Sequence, residues 1–219
     1  MKTVIISGSN RGIGLELCRT FYKNGYRVMA TCRKSNPSLD ELGVDVIEGI
    51  DISKPETYLS WIQTLDSSID CVVNNAGIWR TESLQNFNTD TIMEQYLVNA
   101  VGPLAWTMAL LPKLRPSAKI AFITSRMGSI TDNSSGGRYG YRMSKCALNA
   151  GAKSLALDLQ SQGIAVGLLH PGFVRTDMTE GQGDWEAEES SRALFQRIEE
   201  LTIESTGIFR HANGELLPW

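Results

Sequence analysis

Short β-branched and apolar runs alternate with stretches of helical periodicity from one end of this chain to the other, and that restricts it to few folds. The runs are Thr3–Ser7, Tyr26–Thr31, Val44–Gly49, Ile69–Asn74, Lys119–Thr124, Ile164–Leu169 and a last one near Ile208. Several are continuously apolar (V-I-I, C-V-V, I-A-F-I, V-G-L-L), which means strands buried on both faces. Helical patterns cover Gly12–Asn24, Pro55–Leu65, Thr89–Leu114, Tyr139–Gln162 and Trp185–Leu201. Repetition of this kind predicts a parallel sheet with helices on both faces. No linker, repeat or low-complexity tract interrupts it, so residues 1–219 read as one doubly wound α/β domain with a single sizeable core.

Charge and cysteine usage narrow the partners. A net charge of −3 gives no electrostatic reason to expect nucleic acid or an anionic membrane. The four cysteines (Cys18, Cys32, Cys71, Cys146) form no C-x-x-C and no cluster with histidine, so no metal site is expected and the thiols read as reduced. The N-terminal apolar run is too short for a signal-peptide core. The longest apolar stretch, near Ala100 to Leu111, is broken by Gly102 and Pro103 and predicts no membrane insertion. A cytoplasmic protein is the plain expectation.

Chemistry enters at two places. After the first run comes S-G-S-N-R-G-I-G, with glycines at 8, 12 and 14, opening directly into a helix. Such a turn lets a pyrophosphate approach the backbone, and the helix end offers free N–H groups and a positive dipole. The second place is Y-R-M-S-K. Tyr141 and Lys145 lie one helical turn apart on one face, where an ammonium is expected to pull the phenol's pKa down and make it a usable acid.

The turn spacing is similar to the T-G-x-x-x-G-I-G motif of the short-chain dehydrogenase/reductase family, with Ser7 in place of threonine. Further motifs follow in the family's order. They are Asn74–Asn75–Ala76–Gly77 after the fourth run, Asn99 in V-N-A, Ser125 in I-T-S, Tyr141 with Lys145, and Pro171–Gly172. Together they span the chain. R-M-G-S-I-T-D-N, Y-G-Y-R-M-S-K and the terminal G-E-L-L-P-W resemble the small carbonyl-reductase branch that includes sniffer and the C-factor signalling proteins.

The resemblance implies a single Rossmann-type domain and an oxidoreductase interconverting a carbonyl compound and its alcohol. Tyr141 would be the general acid/base, Ser125 would hold the carbonyl oxygen, Lys145 would serve both tyrosine and ribose, and Asn99 would carry a relay water. Asn99 could instead bend its helix, and Ser125 could be a turn residue. The cofactor would rest on Gly8, Ser9, Asn10, Arg11, Gly12, Ile13, Gly14, Asn75, Ala76, Gly77, Pro171, Gly172, Val174 and Thr176. Asp51 and Ile52 would meet the adenine, though Asp51 could also cap the helix near Pro55.

An acidic residue at the end of the second strand would select NAD. This chain has Cys32 and then Arg33 there, and Arg11 lies in the turn, so NADP(H) is expected. A signalling protein of the C-factor type, with incidental reductase activity, is the alternative. Similar proteins pair through the helices flanking the site, which implies a homodimer or homotetramer. Ile78, Trp79, Met127, Phe173 and Trp185 would give a hydrophobic substrate pocket, with Arg126 and Arg175 the charged exceptions. His170 lacks a matching acid and reads as packed, and the acidic run Asp184–Glu189 reads as a helix start.

Overall fold

In the computed structural model, residues 1–66 and 68–219 are described. Seven parallel strands form one sheet: β1 Thr3–Ser7, β2 Arg27–Thr31, β3 Asp45–Ile47, β4 Ile69–Asn74, β5 Leu114–Ile123, β6 Ala165–His170 and β7 Ile208–His211. Their order across the sheet is β3-β2-β1-β4-β5-β6-β7. The order reverses between β1 and β4, and in such sheets the crevice beyond the strand ends at that point receives ligands.

The continuous apolar runs work as expected. On β1, Val4 and Ile6 face one helical layer while Ile5 faces the other, and β4 repeats this with Cys71 and Val73 against Val72. One layer holds α1 (Gly12–Lys23) and α7 (Ala187–Glu199), whose Leu17, Phe21, Leu194 and Ile198 are buried on the sheet. The opposite layer holds α4 (Thr89–Tyr96), α5 (Gly102–Leu110) and α6 (Tyr139–Gln160). Two short helices complete the set, α2 (Pro37–Asp40) and α3 (Leu59–Gln63).

Most element ends fall within two residues of the sequence reading, and the larger differences have local causes. The helix expected over Thr89–Leu114 is broken by a π-helical turn at Leu97–Val101, then stops at Leu110 before a 3-10 turn. Pro103 explains the break, because it has no N–H for the carbonyl of Asn99 four residues back and its ring crowds that carbonyl. β5 consequently begins at Leu114, with a register shift against β4 between Ile69 and Cys71. The helix expected over Pro55–Leu65 is a 3-10 turn at Pro55–Thr57 followed by α3. The sequence reading assigned nothing at α2, where Asn36 Oδ1 accepts the Leu39 N–H ahead of Pro37 at the first helical position. All four cysteines are free thiols.

Trp106 on α5 is fully buried, stacked on Trp61 at 5.9 Å and edge-on to Tyr58 at 4.9 Å. Trp106→Ala should therefore cost about 3–5 kcal/mol in urea unfolding. A loss under about 1 kcal/mol would mean that this aromatic cluster does not support the fold.

Candidate active site

The site begins with a backbone cradle. Gly8 (φ +68°) follows β1, and its Cα comes so near β4 that a Cβ there would lie 2.8 Å from Ala76 Cα. A side chain at Gly14 would run into the Gly8 carbonyl oxygen and Asn75 Nδ2. Two side chains fasten this contact. Asn75 Nδ2 donates to the carbonyls of Ser7 (3.1 Å) and Gly8 (3.0 Å), and Ser7 Oγ accepts the N–H groups of Asn75 (3.1 Å) and Ala76 (3.2 Å). The hydroxyl of Ser7 is thus a structural clasp between strands. Its position at the end of β1, in the place of the family's threonine, was the only trace of it in the sequence.

A cleft of about 790 Å³ runs from this cradle along the strand ends. Gly8, Asn10, Arg11, Gly12, Ile13 and Gly14 line it, with Cys32, Arg33, Asp51, Ile52, Asn75, Ala76, Gly77, Tyr141, Lys145, Pro171 and Thr176. Ser9, Val174 and Gly172 stand apart from that lining. Ser9 is buried and donates to the Ile6 carbonyl at 2.7 Å, Val174 is buried, and the Trp185 ring lies over Gly172. Arg33 is exposed and makes no ion pair among the described residues. Arg11 pairs with Asp177 at 3.1 Å, both exposed. Cys32 is buried, and its thiol is pushed up to about 11 by that burial and by Glu48 and Asp40. Asp51 Oδ1 accepts from Ser53 N (3.0 Å) and Ser53 Oγ (2.7 Å), a local turn rather than a helix cap. This side-chain-poor cradle, the α1 N-terminus and a free guanidinium fit a dinucleotide phosphate.

At the other end of the cleft Tyr141 and Lys145 project from α6, both buried. Lys145 Nζ donates to the Ile123 carbonyl at 3.0 Å and lies 5.8 Å from the Tyr141 ring centre. The expectation that Lys145 draws the phenol's pKa down is corrected here. Burial dominates and pushes Tyr141 up to about 12, opposed in part by the Ser125 side chain, while burial also brings Lys145 down to about 8. Ser125 Oγ also accepts the Met127 N–H at 3.1 Å.

Asn99, fully buried in the π-turn, clamps the strand-end loop. Its Oδ1 accepts Ile78 N–H (2.8 Å) and its Nδ2 donates to the Ile78 carbonyl (2.9 Å) and to Ser144 Oγ (3.0 Å). A Cβ on Gly77 would lie 3.2 Å from Asn99 Oδ1 and 3.8 Å from Lys145 Nζ, so the three converge.

The sequence reading missed Glu82. Its buried carboxylate accepts from Gln95 Nε2 (2.7 Å), Thr91 Oγ1 (2.8 Å) and the Gly140 N–H (3.1 Å), placing negative charge at the start of the helix that carries Tyr141. Of the expected pocket residues, Ile78 lines the cleft and the Trp79 ring lies 4.5 Å from that of Tyr141. Trp185 packs toward His211, and Phe173 is half-exposed. His170 sits edge-on to His211 at 4.9 Å, and burial and then His211 bring it down to about 3, which keeps it neutral.

The loop after Ser125 is latched to the last residues of the sequence. Thr131 N donates to the Trp219 carbonyl at 3.0 Å, and Arg126 pairs with Glu215 (2.9 Å) and Asp132 (3.1 Å).

This combination defines a Rossmann-type protein of the oxidoreductase class, with a tyrosine–lysine–serine centre at the end of a dinucleotide-sized cleft. The chain belongs to the short chain dehydrogenase family, whose profile it matches over residues 2–187. It is 34% identical over the full length of both chains to 1-hydroxy-2-glutathionyl-2-methyl-3-butene dehydrogenase of a Rhodococcus species. To the C-signal of Myxococcus xanthus it is 40% identical over 69% of this chain and 93% of that one. Among solved structures, carbonyl reductase Sniffer of Drosophila melanogaster superposes with a TM-score of 0.93 at 30% identity, covering all of both chains. NADPH-bound carbonyl reductase from chicken fatty liver gives 0.89 at 26%, covering 100% of this chain and 99% of that one. Among the described residues no helix is long and apolar enough to cross a membrane.

Lys145 carries a testable sign. Its folded pKa of about 8 lies below its ordinary 10.5, so the buried ammonium destabilises the folded state fully below pH 8, and that penalty fades as pH rises toward 10.5. Lys145→Met should raise stability at pH 7 by roughly 1–3 kcal/mol, a gain that shrinks between those pH values. Chemical unfolding at pH 7 and pH 10 checks this; a gain that grows with pH would reverse the assignment.

Proposed function

We propose that this protein is an NADP(H)-dependent oxidoreductase interconverting a carbonyl compound and its alcohol. The observation that carries the reading is the placement of Tyr141 and Lys145 together on the cleft wall, both buried, with the Ser125 side chain acting on the Tyr141 phenol. The glycine turn and the α1 N-terminus would hold the pyrophosphate, Arg33 the 2′-phosphate, Asp51 and Ile52 the adenine, and Lys145 the nicotinamide ribose. Bound there, the cofactor supplies the hydride to the carbonyl carbon.

The side chains manage the proton. Ser125 and Tyr141 donate hydrogen bonds to the carbonyl oxygen. As negative charge develops on that oxygen, the Tyr141 O–H bond breaks and its proton moves across, giving the alcohol and a tyrosinate. A phenol held near 12 stays protonated at neutral pH and yields only to a base as strong as an alkoxide. Lys145, near 8, exchanges protons around neutrality and can recharge the tyrosinate. Asn99, whose carbonyl has no α-helical donor at Pro103, would carry the water that links Lys145 to solvent. The reverse sequence oxidises the alcohol, the direction that the name of the Rhodococcus relative records.

The resemblance to the C-signal supports a second reading, in which the cofactor-binding fold has a signalling output. The complete set Asn99, Ser125, Tyr141 and Lys145 favours turnover. Exposed Met93, Leu97, Val101 and Met108 on α4, the π-turn and α5 support a homodimer, which sedimentation velocity would test.

Tyr141→Phe should lower kcat by at least about 100-fold while NADPH binding, read by fluorescence titration, stays within about 3-fold. Retained turnover would discard Tyr141 as the acid. Arg33→Asp should weaken NADPH by about 1.5–3 kcal/mol and leave NADH nearly untouched. Equal affinity of the unsubstituted protein for both cofactors would defeat the NADP(H) assignment.

A further inference from the structure

Five arginines stand within three residues of Gly77, Ser125, Tyr141 or Gly172, Arg80 among them lining the cleft, and they are not equivalent. Arg126 is held by Asp132 and Glu215, Arg175 by Glu186, and Arg80 by both carboxylate oxygens of Glu94. Arg138 and Arg142 make no ion pair among the described residues. The first immediately precedes α6 and the second follows Tyr141 by one residue.

Both are tied to the catalytic corner. The Arg138 guanidinium lies over the Trp79 ring, 5.1 Å from its centre, and that ring lies 4.5 Å from the Tyr141 ring. Arg142 Nη2 donates to Ser135 Oγ at 2.8 Å and Nη1 to the Met127 carbonyl at 3.5 Å, two residues past Ser125. Its Nε is buried with no hydrogen-bond partner among the described residues. The two lie one helical turn apart, with Arg142 N–H donating to the Arg138 carbonyl at 3.0 Å, and Arg142 is shifted down first by burial and then by Arg138. The carboxylate built into this corner, Glu82, is spent inward on Gln95, Thr91 and Gly140. Arg138 is also a non-glycine residue in the left-handed region (φ +52°), held there by its N–H bond to the Glu82 carbonyl at 3.0 Å. Backbone strain of that kind persists where surrounding structure enforces it, and it concentrates at ligand sites.

We propose that Arg138, Arg142 and the face of Trp79 form a subsite for a carboxylate carried by an aromatic substrate, whose carbonyl lies at Tyr141 and Ser125. The proposal rests on the oxidoreductase reading above and names the substrate class for it. A guanidinium stacked on an aromatic face keeps its edge N–H donors free for two parallel bonds to a carboxylate. Arg138 and Tyr141 both lie against the Trp79 ring, at 5.1 Å and 4.5 Å from its centre, so carboxylate and carbonyl would stand about one aromatic ring apart. The apolar body of such a compound suits Ile78 and Trp79, and its anionic end offsets two like charges that make no ion pair among the described residues.

The test uses para-acetylbenzoate and its neutral methyl ester, which share the ketone and the ring. Calorimetric titration into the full-length protein with NADP⁺ present should show the acid binding about 5- to 10-fold more tightly than the ester. The preference should shrink as salt rises from about 50 to 500 mM. Arg138→Gln and Arg142→Gln should each lower the acid-to-ester ratio, and the double substitution should bring it near one. Arg138→Lys should retain part of it, and circular dichroism confirms that each variant is folded. Ester binding equal to or tighter than acid binding, or a preference that survives in the folded double variant, overturns the subsite. Turnover with NADPH is read separately. If neither ketone is reduced while the acid preference and its loss in the variants hold, the subsite stands and the reductase reading falls.

Discussion

Everything at the site depends on how closely β1 and β4 approach one another beyond their last paired residues. The strand order reverses there, and the two strand ends run on into Gly8 on one side and Asn75–Ala76 on the other, so close that a Cβ on Gly8 would lie 2.8 Å from Ala76 Cα. Asn75 and Ser7 supply hydrogen-bond partners for the carbonyls and amides that leave the ladder at this point. The α1 N-terminus is thereby aimed at a fixed point, and the remaining contacts of the cleft are measured from it.

The tyrosine end of the cleft is built on the opposite principle. Burial that stabilises the rest of the sheet is a cost for Tyr141 and Lys145, because it disfavours the charged form of each. The two pKa values are pushed apart, so the resting site holds a neutral phenol beside an amine poised near neutrality. Among the described residues Lys145 donates one hydrogen bond, to the Ile123 carbonyl, which leaves its other N–H donors free. Stability surrendered at this corner is recovered in layers such as Trp106, Trp61 and Tyr58, where no chemistry is required.

Which parts of this could be read beforehand follows from the range over which each cause acts. The strands were legible because residues such as Val4, Ile5 and Ile6 must be apolar in sequence if both faces are covered. The glycine turn and Tyr141–Lys145 were legible because their spacing is local. What failed was nonlocal. The direction of the Tyr141 shift depends on burial by distant elements, and a pairwise view of two side chains on one helix turn gives the wrong sign. Glu82 carries no local motif, since its partners come from α4 and from α6, 58 residues away at Gly140. The break at Leu97–Val101 had a visible cause in Gly102–Pro103, yet its outcome, a π-turn rather than a stop, depends on the packing around Asn99.

The latch on the serine loop has a bearing on the order in which the molecule comes into being. A chain emerging from the ribosome can pair β1, β2 and β4 and close the glycine cradle long before its later residues exist. The loop after Ser125 cannot be fastened until Glu215 and Trp219 have been made and have reached it. The residues that close the cradle and those that fasten the serine loop are separated by about 140 residues of translation, from Ala76 to Glu215. A nascent chain would pass through an interval in which it has a formed cradle and no fixed serine.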